Sequence, residues 1–111
     1  MAEVSSLDGL QLDVAVARAE IAGGALDVKL SDAGMPTIAT ESGGWEPFRP
    51  SVSWAHAGPI IEAARITLVA QGFEPYHWIA LVETDSTGGA GPLTGHTPLV
   101  AAMRAYVASK A

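Results

Sequence analysis

Two short stretches and one helix hold the residues whose chemistry could make a binding site. Ser53, Trp54 and His56 fall in SVSWAHAG, Gly95, His96 and Thr97 in GPLTGHTP, and Arg104 in an apolar helix that follows. Backbone N–H groups at a helix start form a natural anion site. Gly95, His96 and Thr97, just ahead of such a start, could therefore hold a phosphate or another anion, with Arg104 as the cation. The stretch lacks the lysine and the G-x-x-x-x-G-K-[ST] spacing of a phosphate loop, and Pro92 interrupts it. Ser53 with His56 makes no G-x-S-x-G nucleophile elbow. His56, His77 and His96 are too scattered for the paired spacing that zinc sites use. No carboxylate pair of glycosidase type can be placed. These residues assign no catalytic role, and no metal or cofactor is expected.

The elements that would position these residues can be read from periodicity. In LDGLQLDVAVARAEIAGG, Asp8 is an N-cap candidate with Gln11 three residues later, and Leu7 and Leu12 form a hydrophobic staple. Leu12, Ala15, Val16 and Ala19 share a face, Asp13 and Glu20 lie off it, and Gly23 and Gly24 stop the helix. This predicts a helix over 9–22. Residues 25–30 alternate as a half-buried strand and 37–40 pair with them in a hairpin, while 41–50 read as loop. Proline favours the first helical position, so Gly58 and Pro59 predict a short helix near 59–65, with Ile60, Ile61 and Ala64 inward. Strands at 66–70 and 76–82 make a second hairpin around a turn at 72–75. Residues 84–95 form a long glycine-bearing loop. Thr97 as N-cap and Pro98 at the first position open a last helix over 98–109.

Between Pro98 and Ala108 that helix carries one charge, Arg104. A helix so apolar must be covered by the rest of the fold or by a second chain. Its alanine face, Ala101, Ala102, Ala105 and Ala108, suits close approach, so a homodimer built partly on this helix is expected. Arg104 needs a partner, and Glu62, then Asp13, are the candidates. Trp45, Trp54 and Trp78 are read as core or pocket lining.

The composition narrows the function further. A chain of 111 residues fits one domain. With 12 acidic against 6 basic residues its net charge is -6, which opposes non-specific nucleic-acid binding. There is no cysteine, hence no disulfide or thiolate chemistry. Neither a signal peptide nor a run long enough to span a bilayer is present, and a cytoplasmic setting in a bacterial host cell is the simplest reading.

SVSWAHAGPIIE and GHTPLVAAMRAYVASK, in that order, resemble the phage NinX-like family, and LDGLQLDVAVARAE is similar to that family's opening helix. The resemblance implies a single NinX-like domain over 1–111 and a phage or prophage accessory or early-region protein. It brings no biochemical activity with it. The expected fold is α+β: a small, mainly antiparallel sheet of three to five strands, with the helices near 9–22 and 98–109 on one face. The expected function is a non-catalytic module that binds a host or phage protein. The alternative is a small-molecule or nucleotide (anion) binder, with its pocket near Trp54, the 88–97 loop and Arg104.

Overall fold

A computed structural model describes residues 4–24, 26–72, 77–82 and 92–110. The turn expected at 72–75 and the larger part of the 84–95 loop lie outside the described residues. A single 3-10 turn, Val4–Ser6, precedes helix α1, Gly9–Gly23. Strands β1 (Val28–Leu30), β2 (Pro36–Ala39) and β3 (Trp45–Pro47) follow, then helix α2 (Trp54–Ala64). Strands β4 (Ile66–Ala70), β5 (Trp78–Val82) and β6 (Leu93–Gly95) lead into helix α3, Pro98–Lys110.

The fold is α+β and every strand pairing is antiparallel. The strands divide into two three-stranded meanders, β1-β2-β3 and β4-β5-β6, with α2 between them in the chain. Each sheet takes its own helix: α1 packs on the first, α3 on the second, and the two helices pack on each other. Both hairpins expected from alternation are present, in the registers Val28↔Ile38 and Leu68↔Ala80. The third strand of each sheet falls in a stretch that reads as loop. In β3 all three residues are exposed, so no alternation marks it. β6 has only three residues and follows directly on the glycine-bearing run.

The second helix begins five residues before the expected start. Ser53 is its N-cap, accepting a hydrogen bond from His56 N at 3.3 Å, so Pro59 lies inside the helix. Proline lacks the N–H that would reach the carbonyl four residues back. The short helix tolerates that loss while burying Ala57 and Ile60. At α1 the cap also differs: Asp8 makes no side-chain capping bond, and only its carbonyl accepts, from Leu12 N at 3.2 Å.

The buried stripe of α1 is Leu12, Asp13, Val16, Ala17 and Glu20. It is rotated from the stripe expected, and both carboxylates lie on it. Buried charges persist only where hydrogen bonds compensate their lost hydration. Asp13 Oδ1 accepts from Ser51 N at 2.8 Å. Glu20 accepts from Leu26 N through Oε1, at 3.2 Å, and from the Tyr106 hydroxyl through Oε2. Gly24 passes so close to this carboxylate that a Cβ there would collide with it.

The core joins Leu12 and Val16 of α1 to Phe48, Ile60, Ala80 and Met103. α3 lies at its centre, with Leu99, Val100, Ala101, Ala102, Met103, Ala105 and Tyr106 buried against α1, α2 and the second sheet. The chain itself therefore covers the apolar helix on most of its surface. Among the described residues no helix is long and apolar enough to cross a membrane.

Candidate functional site

The N-termini of α2 and α3 meet at one surface cleft of about 270 Å³, lined by Ser51, Val52, Trp54, Thr97, Pro98 and Leu99. Sequence supplies each cap locally. Ser53 closes the first turn of α2, and Thr97 Oγ1 accepts from Val100 N at 3.1 Å in α3. Both hydroxyls thus satisfy helix N–H groups that would otherwise lack partners. Trp54 and Val52 project at the cleft, 56% and 67% exposed. Large apolar side chains so open to water are unusual when they stand together at a concave site.

The other residues singled out from sequence are placed elsewhere or are occupied. His56 turns toward the first sheet. Its Nδ1 accepts from Arg49 N at 2.9 Å, and its ring lies 5.5 Å from that of Phe48. An accepting Nδ1 carries no proton, so neutral His56 holds its proton on Nε2. Gly95 is buried against α3, where a Cβ would stand 2.6 Å from Ala101 N and 3.0 Å from its Cα. Only glycine lets β6 come so near the helix. His96 is exposed.

Arg104 meets neither Glu62 nor Asp13. Its Nε donates to Leu7 O at 2.8 Å and its Nη1 to Thr94 O at 2.9 Å. The guanidinium therefore clasps the segment before α1 to the strand before α3. Its fork geometry suits two carbonyls at once. Trp54 and Thr97 are the expected site residues that share this cleft. Among the described residues no group of three or more His, Cys, Asp or Glu side chains could hold a metal ion.

The family model described as Bacteriophage P22, NinX matches residues 3–110. The chain belongs to the NinX family. That match takes in α1, both sheets and α3, so the family's domain coincides with the whole fold just described. No curated protein matches the chain.

A second concavity of this NinX chain lies off the residues singled out from sequence. It opens between α1 and the first sheet, is lined by Leu10, Asp13, Pro36 and Phe48 among others, and holds about 290 Å³. Burial pushes the Asp13 carboxyl above its ordinary value, a rise that the Ser51 hydrogen bonds and the charge of Arg49 oppose. Asp13 escapes a reading by hydrophobic period because that reading excludes polar positions from the stripe. Its seven-residue spacing from Glu20, two helical turns, is the signal that would have found both.

Proposed function

We propose that the chain is a phage or prophage accessory protein that works as a non-catalytic protein-binding module. The observation that carries this reading is the pair Val52 and Trp54, exposed at a cleft whose lining, among the described residues, includes no charged side chain. Tryptophan at a concave surface is the kind of residue that dominates protein–protein affinity once a partner excludes water from it. The surrounding chain is acidic, so an uncharged patch on it stands out as a contact surface. Family membership supports the phage context.

The nucleotide reading of the same cleft has less behind it. The Ser53 and Thr97 hydroxyls are engaged as caps, and Arg104 donates to carbonyls away from the cleft. An anion would meet no side-chain cation in the lining.

The test is cross-linking in phage-infected cells with tagged wild-type chain and the Val52→Ser, Trp54→Ala double variant. One phage or host protein should be captured by the wild type and lost with the variant, while circular dichroism and Tm stay unchanged. Equal capture by both chains overturns the assignment of this surface.

A further inference from the structure

The cleft between α1 and the first sheet has the makings of a small-molecule site, independent of the Trp54 surface. Phe48, fully buried, forms its floor, and Leu10 and Met35 stand at its edges, 52% and 45% exposed. Both are large apolar side chains left in water beside a hollow that a ligand could fill. The lining also holds Asp13, itself only 2% exposed, and Arg49. Small-molecule sites are mostly apolar concavities with a few convergent polar groups, and ionisable residues with displaced pKa values mark them. The volume of about 290 Å³ stands at the small end of such sites, so the ligand must be small.

The two charges define its chemistry. A carboxylate has about four acceptor positions, and the hydrogen bonds from Ser51, whose N lies 2.8 Å from Oδ1, leave capacity on Asp13. An ammonium group is the natural donor to a carboxylate held in so apolar a place, since its charge replaces the hydration lost on burial. Arg49 offers a planar fork suited to a carboxylate.

We propose that this cleft binds an apolar α-amino acid, with the ammonium on Asp13, the carboxylate on Arg49 and the side chain between Leu10 and Met35 above Phe48. A zwitterion with one hydrophobic arm matches one acid, one base and an apolar remainder. A simple amine would leave Arg49 unused, and a fatty acid would leave Asp13 unpaired.

The test is an NMR titration of the full chain with L-leucine and L-phenylalanine, alongside leucinamide, which lacks the carboxylate, and N-acetyl-leucine, which lacks the ammonium. A ligand of this size should bind with Kd on the order of 1 mM or tighter, moving the signals of Leu10, Met35 and Phe48. Each truncated analogue should bind at least about tenfold more weakly, the loss expected for one charged contact. Arg49→Gln should weaken leucine by a similar factor and leave leucinamide unchanged. Asp13→Asn should abolish binding of both. Because Asp13 also holds Ser51, Met35→Glu at the exposed rim serves as a second blocking variant and should abolish binding without unfolding. No shift with either amino acid at tenfold above that Kd overturns the proposal. Equal shifts with all four compounds overturn it as well, since they would mark an apolar hollow indifferent to charge.

Discussion

The two ends of α1 each bury a carboxylate, and the two are held very differently. Glu20 accepts from a backbone N–H and from the Tyr106 hydroxyl, and Gly24 closes over it. Asp13 accepts from Ser51 N and borders an open cleft. The first arrangement is a lock between α1, the entry to β1 and α3. Its partner feels the same environment, since burial and the Glu20 charge push the Tyr106 hydroxyl well above its ordinary range. The second arrangement retains capacity to accept from something that is not protein. Glu20 also borders a hollow, of about 220 Å³, but both of its oxygens are engaged, so it is read as structure, whereas an acid with acceptor capacity left beside a cavity is read as a site.

The contrast can be broken at its strongest point with Glu20→Ala. That change leaves the Tyr106 hydroxyl and Leu26 N without their partner, and urea unfolding should show a loss of about 3 kcal/mol or more. Gly24→Ala forces a Cβ against the same carboxylate, and overpacking of this kind should cost about 2 kcal/mol by the same measurement. A third change, away from both ends, calibrates the scale. Thr97→Ala removes the α3 cap and should cost about 1 kcal/mol, read as a lower urea midpoint at constant m.

Asp13→Asn should have the smallest effect, within about 1 kcal/mol near neutral pH, because the amide oxygen can still accept from Ser51 N. Its signature is in pH dependence. The folded Asp13 carboxyl lies above its ordinary 3.8, so in that window the folded chain holds a proton that the unfolded chain has released. Stability contributed by this group is therefore present below 3.8 and declines as pH rises through the folded value. Urea midpoints of the wild type across this window should fall relative to those of the Asn variant. Parallel curves for the two chains would mean that Asp13 is as solvated folded as unfolded.

The elements legible in the sequence are those whose side chains alternate or repeat with burial. α1 and the hairpins β1–β2 and β4–β5 bury one face and expose more of the other, while α3, buried nearly all round, is marked by Thr97 and Pro98 at its start. β3 escapes because Trp45, Glu46 and Pro47 are all exposed. The start of α2 is hidden by Pro59, which reads as a first position although Ser53 caps the chain six residues earlier. Candidate sites divide in the same way. Residue type marks Trp54 and Thr97, and both line one cleft. Arg104 meets Leu7 O and Thr94 O in place of Glu62 or Asp13, because backbone carbonyls carry no sequence signature. Asp13 and Arg49 line one cleft only because β3 returns Phe48 and Arg49 to the side of α1, a tertiary fact with no local trace.

The clasp made by Arg104 joins Leu7 to a residue 97 positions away. Closing so long a loop is entropically slow, and folds dominated by distant contacts assemble late. Since α3 follows the other described elements and sits at the centre of the core, the residues before it can form hairpins but no finished interior. During synthesis the apolar faces of α1 and both sheets must wait, uncovered, for this helix to emerge. The order of translation thus makes α3 the step that decides when the protein exists as a folded molecule.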